Sequence, residues 1–137
     1  MLSMISLFAQ KKEINAALDN LKANKDIDKV EASMMTLLQD SSNQDNDKIW
    51  SILFESLKKQ YQIGNEQLYL KQNYDTAALF NIASRMFNMM TKYDSIDSKP
   101  NKRGKVKVKM RRQNASTLNT IRPNLYNGGI YFIGKSN

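Results

Sequence analysis

The stretch YQIGNEQLYLKQNYDTAALF, residues 61–80, decides the fold of this chain. Apolar and small residues recur at helical spacing on both sides of an Asx turn, at Tyr61, Gly64, Leu68, then Asn73-Tyr74, Ala77 and, farther on, Ser84. A similar arrangement runs from Ile14 to Leu37 around Asp26, and a third runs from Leu125 to Asn137. Helices paired across a turn and repeated along a chain are typical of a stacked helical array. We therefore predict an all-α fold.

The apolar periodicity defines four helices before residue 94. They are expected at residues 11–23, at residues 27–39 with Asp26 as a cap, at residues 47–68, and from Asp75 to about residue 90. Trp50 is expected in the core, and the methionines of the fourth helix are expected to fill it. Consecutive helices of this kind form antiparallel hairpins, and about five or six helices are predicted in all.

The region after residue 94 is less regular. Residues 94–104 contain Pro100 and are predicted as a loop. Residues 105–110 alternate as a strand does, but because the chain offers no second strand to pair with them, we expect a long helix entered between Lys105 and Met110. Pro123 should end or kink that helix, or begin a new one.

Composition excludes several classes of chemistry. The chain of 137 residues contains neither cysteine nor histidine. Disulfides, thiolate zinc sites and nucleophiles activated by histidine are therefore excluded. The glutamates are scattered over different predicted helix faces, so they define no acid/base pair. We predict no catalytic residue, no cofactor and no metal.

The positive charge is concentrated near the carboxyl end. Residues 1–98 hold 11 Lys and Arg against 13 Asp and Glu, whereas residues 99–137 hold 10 against none, so net charges of −2 and +10 make up the total of +8. The candidate site residues in this basic segment are Lys102, Arg103, Lys105, Lys107, Lys109, Arg111 and Arg112. Such a run of cations binds a nucleic acid or another polyanion, or it is a solvated loop inserted between helices. The insertion would span about residues 94–110. The solvated loop is favoured, because the run contains no aromatic residue on which bases would stack.

The first residues, MLSMISLFAQ, are apolar apart from two serines and a glutamine. They are interpreted as the remnant of a signal peptide cut after Ala9, or alternatively as an apolar turn on the first helix. A signal remnant predicts an extracytoplasmic location, either periplasmic or secreted. An apolar turn in its place predicts a cytoplasmic location. No stretch reaches the roughly 18 apolar residues that a membrane span requires.

Two stretches carry a resemblance to a known family. Gly64 to Ala77 resembles the join between the two helices of a tetratricopeptide repeat, and Leu125 to Phe132 resembles the first helix of another unit. The sequence of residues 122–132 also resembles sequences of secreted repeat proteins of the Bacteroides group. The resemblance implies a degenerate array of helical hairpins over residues 11–137, wound as a right-handed superhelix, that binds proteins or peptides.

The array departs from the regular family pattern. Its Asx markers Asp26, Asn73 and Asn137 lie 47 and 64 residues apart, instead of one unit of roughly 34 residues. The third unit has its first helix but lacks the second, which leaves an apolar stripe to be covered. We expect this chain to be the N-terminal part of a longer bacterial repeat protein, or its last helix to dock onto another molecule, including a second copy.

Two further motifs are judged coincidental. Gly129 to Ser136 matches the phosphate-loop pattern, but its central residues are bulky and no strand precedes it. Asn114-Ala115-Ser116 matches the glycosylation pattern but falls on a predicted helix.

The sequence thus predicts a protein-interaction scaffold that is not an enzyme. Tyr61, Tyr69 and Tyr126 are its candidate aromatic anchors, because tyrosine is frequent at binding hot spots. The alternative is nucleic-acid or other polyanion binding through Lys99 to Arg112, and an enzyme comes third.

Overall fold

The computed structural model describes residues 4–136 and the side chains of residues 7–135. Residues 1–3 of the predicted signal remnant, and the Asx marker Asn137, lie outside this range. The described residues form five α-helices and a short 3-10 helix: α1 (Met4–Ala23), α2 (Ile27–Leu37), the 3-10 turn (Ser41–Asn43), α3 (Asp47–Tyr69), α4 (Thr76–Asp97) and α5 (Arg111–Ser136). The prediction of an all-α fold is confirmed. The chain divides into two compact units, Met1–Lys59 and Gln60–Asn137.

The first unit is built on a hairpin of α1 and α2, which pack against each other. Both helices bury the residues that recur at helical spacing in the sequence: Ile14, Ala17 and Leu21 from α1, and Ile27, Val30 and Met34 from α2. Complete burial of one such aliphatic side chain contributes about 1.5–3 kcal/mol. The apolar periodicity therefore identified the correct faces.

The ends of this hairpin differ from the prediction. Helix α1 begins at Met4, before the expected residue 11, and α2 ends at Leu37. Asp26 stands at the N-cap position of α2, but its side chain makes no capping hydrogen bond. Its backbone is left-handed, with φ of 51°, whereas a capping side chain needs an extended backbone.

The start of α3 shows how the polar loop before it is ordered. The side chain of Asn46 accepts hydrogen bonds from the backbone N–H groups of Lys48 and Ile49, which satisfies two otherwise unpaired donors. Trp50 is buried, as predicted, and its indole N–H donates to the carbonyl of Gln44 at 2.8 Å. The predicted long helix is therefore confirmed at 23 residues.

The second unit is built on a hairpin of α4 and α5. Asp75 caps α4 by accepting a hydrogen bond from the N–H of Ala77, so the predicted start of this helix is confirmed. Phe80 near the start of α4 lies against Gly128 near the end of α5, and Asp94 near the end of α4 pairs with Arg111 at the start of α5. The two helices are therefore antiparallel.

The core of this unit is mostly aliphatic and aromatic. Its buried residues are Tyr61 from α3, Leu79, Phe80, Ile82, Ala83, Met86 and Tyr93 from α4, and Ile121 from α5. Asn124 of α5 donates a hydrogen bond of 2.6 Å to the hydroxyl of Tyr61, which ties α5 to the last turns of α3.

The start of α5 corrects the prediction for residues 105–110. The helix begins at Arg111, and Val106 instead forms an isolated antiparallel bridge with Pro100. Two physical causes oppose an earlier start. Lys105 and Lys109 would repel each other four residues apart on one helix face. The carboxylate of Asp97 also accepts hydrogen bonds from the backbone N–H groups of Lys109 and Met110, immediately before the helix.

Pro123 neither ends α5 nor begins a new helix, because α5 runs through it to Ser136. Proline removes the hydrogen bond to the carbonyl four residues earlier. That carbonyl belongs to Asn119, a solvent-exposed residue, so water can replace the missing donor. None of the helices in residues 4–136 combines the length and apolar character needed to cross a bilayer.

Candidate functional site

The three predicted aromatic anchors occupy different environments in the second unit. Tyr61 is only 8% exposed and its hydroxyl accepts the hydrogen bond from Asn124, so the structure places it as a packing residue. Tyr69 at the end of α3 is 85% exposed, and Tyr126 in α5 is 71% exposed. Only Tyr69 and Tyr126 present their rings to solvent.

The predicted basic cluster lies on an ordered turn between α4 and α5. The side-chain oxygen of Asn101 accepts hydrogen bonds from the backbone N–H groups of Arg103 and Lys105. The N–H of Asn101 donates to the carbonyl of Lys105 at 2.8 Å, which closes the turn. Gly104 adopts φ of 76°, a backbone conformation that costs glycine little. The cations are therefore carried on a defined backbone.

Two aspartates of α4 fasten the far end of this turn. Asp94 accepts two hydrogen bonds from the Arg111 guanidinium, at 2.9 and 3.0 Å, in the bidentate geometry of a strong ion pair. This hydrogen-bonded guanidinium lowers the pKa of Asp94 and, in return, Asp94 raises the pKa of Arg111. Asp97 holds the backbone of Lys109 and Met110. Arg111, one of the predicted binding residues, is thus engaged in an ion pair within the hairpin.

The remaining predicted cations face solvent. Lys102, Arg103, Lys105, Lys107, Lys109 and Arg112 are all exposed. Within the described range, none of these six has a carboxylate partner within salt-bridge distance. Their charges are uncompensated locally, so the turn projects a positive field into solvent.

The last turns of α5 expose a set of large apolar residues, of which only Tyr126 was among the predicted site residues. These residues are Tyr126, Ile130, Tyr131, Phe132 and Ile133. Tyr131 packs its ring 5.6 Å from that of Phe80, whereas Ile133 is 67% exposed. Scattered apolar residues on a surface need no explanation, but Tyr126, Ile130 and Ile133 recur at helical spacing and share one face of α5, as the residues of an interaction site do.

A shallow groove lies between α4 and α5. It has a volume of about 300 Å³. Phe87 and Met90 of α4 line one wall, and Leu118, Arg122 and Leu125 of α5 line the other. Phe87 is 49% exposed, although it follows the fully buried Met86. The sequence signal for this groove was the apolar stripe of α4, which is wider than one helix face needs to pack against a single neighbour.

Neither the phosphate-loop motif nor the glycosylation motif has the structure that its function requires. Gly129 to Lys135 lies inside α5, so its backbone N–H groups belong to the helix and do not form a phosphate-binding loop. Asn114 is 2% exposed, which makes its side chain inaccessible for glycosylation in the folded chain. Within residues 4–136, no three acidic side chains come together as metal ligands.

Comparison with known proteins identified no relative of this chain. No family model matches it, and searches of curated proteins and of solved structures likewise found no match.

Proposed function

We propose that this chain is a non-catalytic protein-interaction scaffold whose docking surface is the apolar side of the α4–α5 hairpin. The observation that carries the proposal is that Tyr126 and Ile133, which are exposed, lie by helical spacing on the same face of α5 as the residues that line the groove beside Phe87. Burial of this surface by a partner would remove apolar area from water, the main driving force for protein association. The tetratricopeptide kinship, the place in a longer bacterial protein and the extracytoplasmic location are parts of the same proposal.

Site-specific photo-crosslinking tests this function. The photoreactive residue p-benzoylphenylalanine is placed at Ile133, on the proposed surface, in cells that produce the chain. The matched control carries it at Gln62, an exposed position of α3 in the same unit. We expect a discrete protein adduct from position 133 and none from position 62. Adducts from neither position, or equal adducts from both, would reject the proposed surface.

A second candidate function is binding of a nucleic acid or another polyanion through the basic turn. The specific observation in its favour is that the turn is ordered by Asn101 and Asp97, while six of its cations remain without a carboxylate. Order matters because a preformed array of charges loses less conformational entropy on binding than a mobile one.

Filter binding decides this second function. Single-stranded DNA and RNA should be retained at low salt, and the logarithm of affinity should fall linearly with the logarithm of salt concentration. Neutralising Lys102, Lys105 and Lys107 with glutamine should lower both the affinity and the salt slope. The control neutralises Lys11, Lys12 and Lys22 of α1, which changes the net charge equally. Equal losses in both variants would show nonspecific attraction only.

A further inference from the structure

The apolar surface of α5 contains a regular pattern of cations. Along one face at helical spacing lie Arg112, Ala115, Leu118, Arg122, Tyr126 and Ile133. This face extends for about 27 Å between Ala115 and Ile133, the length of about five helical turns. Arg122 is exposed and also lines the groove, so its guanidinium borders the space that a partner would occupy.

The two arginines restrict which partner can cover this surface. A partner that buried Arg122 without offering a carboxylate would leave a desolvated charge unpaired, which opposes binding. Asp94 of α4, which faces α5, is already engaged by Arg111. Residues 99–137 contain no acidic side chain of their own. A partner that carries carboxylates would therefore complement these two arginines.

A second copy of the same face is a poor occupant. Symmetric pairing through α5 would bring Arg112 and Arg122 of one copy toward the arginines of the other, and each face carries the same sign of charge. Like charges brought together in an interface repel each other and weaken the complex. The charge pattern thus argues against self-association through this helix.

We infer that the groove between α4 and α5 binds an acidic amphipathic helix, with an apolar stripe over Phe87, Leu118 and Leu125 and carboxylates facing Arg122 and Arg112. The inference rests on the proposed scaffold function and specifies the partner's chemistry. A helix laid in an apolar groove is recognised through residues at i, i+3, i+4 and i+7. The carboxylates should lie about ten residues apart, because Arg112 and Arg122 are separated by about 15 Å along α5.

The test uses designed peptides and the full chain. A fluorescein-labelled peptide of ~18 residues carries leucines along one face and two glutamates beside that face at the matching spacing. A second peptide replaces both glutamates with lysine, and a third scrambles the acidic sequence. Fluorescence anisotropy should show at least tenfold tighter binding of the acidic peptide than of either control.

Variants locate the binding site. Arg122→Gln should weaken binding of the acidic peptide several-fold and should not weaken binding of the lysine peptide, whereas Lys92→Gln, an exposed position of α4, should change neither. Phe87→Ala should weaken the acidic peptide through lost apolar contact. Circular dichroism of each variant establishes that the helices are retained.

Several results would overturn the inference. These are equal affinity for acidic and basic peptides, no effect of Arg122→Gln, displacement of the acidic peptide by a single-stranded oligonucleotide at equal concentration, and a dimer by light scattering that Phe87→Ala dissolves. If the acidic peptide does not bind but crosslinks form from position 133, the partner chemistry is wrong and the scaffold function stands. If both experiments fail, both proposals fall.

Discussion

Gly128 of α5 lies so close to Phe80 of α4 that a β-carbon added at Gly128 would sit 3.0 Å from both the Cβ and the Cγ of Phe80. The atoms met are the base of a buried side chain, which cannot move without its helix. The close approach of the two helices therefore depends on the missing side chain at this position.

Substitution of Gly128 by alanine should destabilise the chain. Alanine gains about 1 kcal/mol in helix propensity, but overpacking against Phe80 costs about 1–3 kcal/mol, so we expect a net loss of about 1 kcal/mol. The adjacent Gly129 is the matched control, because nothing lies within 4 Å of its added β-carbon. Gly129→Ala should raise the free energy of unfolding by about 0.5–1 kcal/mol. Urea unfolding followed by circular dichroism measures both, and equal stabilisation by the two substitutions would contradict the close contact.

Replacing Asn114 with a small apolar residue should increase the stability of the folded chain. Its side-chain Nδ2 is buried and has no hydrogen-bond partner in the described part of the chain. A buried donor left unpaired costs about 1–3 kcal/mol, so Asn114→Ala should raise the free energy of unfolding by about 1 kcal/mol. Asn114→Asp, which keeps the shape and adds a buried charge, should lower it. Thermal unfolding at neutral pH compares the three proteins, and a loss of stability in Asn114→Ala would show that the amide is engaged.

The sequence predicted the helices well where the buried residues recur at helical spacing. The buried set of α3, from Ile49 to Tyr61, follows the helical spacing and begins after an Asx cap, so α3 was predicted almost to its ends. Tyr61 was predicted as an anchor and is buried, because the spacing of a residue does not reveal how many helices surround it. Its partner Asn124 lies 63 residues away, and no local signal identifies such a pair.

The start of α5 and the groove illustrate the same limit. Alternation in residues 105–110 favoured a strand locally, and helical spacing favoured a helix, but the carboxylate of Asp97 decides where α5 begins. That carboxylate belongs to the preceding helix, α4, so the pattern of residues 105–110 alone does not reveal it. The basic cluster could be located from charge alone, whereas the role of Arg111 in the ion pair with Asp94 required the antiparallel hairpin. The groove beside Phe87 likewise arises only when two helices meet.

The ion pair between Asp94 and Arg111 should give the basic turn a measurable pH dependence. Because the hydrogen bond from Arg111 lowers the pKa of Asp94 in the folded chain, the pair contributes stability above the unfolded pKa of about 3.9. That contribution is lost as the pH falls through the lower folded value. The carboxyl carbon of Asp94, followed by NMR, should titrate below its ordinary value in the native chain and near it in Arg111→Gln. Arg112→Gln is the control and should leave the titration of Asp94 unchanged. Titration of Asp94 at its ordinary pKa in the native chain would show that the pair is absent.

The hydrogen bond between Asn124 and Tyr61 should couple α5 to α3 energetically. The bond is 2.6 Å long and the Tyr61 ring is buried, so water competes weakly for it. A double-mutant cycle with Tyr61→Phe and Asn124→Ala should give a coupling free energy of about 1 kcal/mol. Asn127→Ala, an exposed asparagine of the same helix, serves as the control and should show no coupling to Tyr61→Phe. Full additivity in the first cycle would mean that the bond contributes nothing to stability.

The proposed docking function requires that α5 expose an apolar face to solvent in the folded protein. Methyl-labelled isoleucine residues and a soluble paramagnetic agent measure this accessibility by NMR in the dilute, folded chain. Ile130 and Ile133 should be relaxed as strongly as the exposed Ile63 of α3, while the buried Ile82 and Ile121 remain protected. Protection of Ile130 and Ile133 to the level of Ile121 would show that the face is already covered, and would contradict its role as a docking surface.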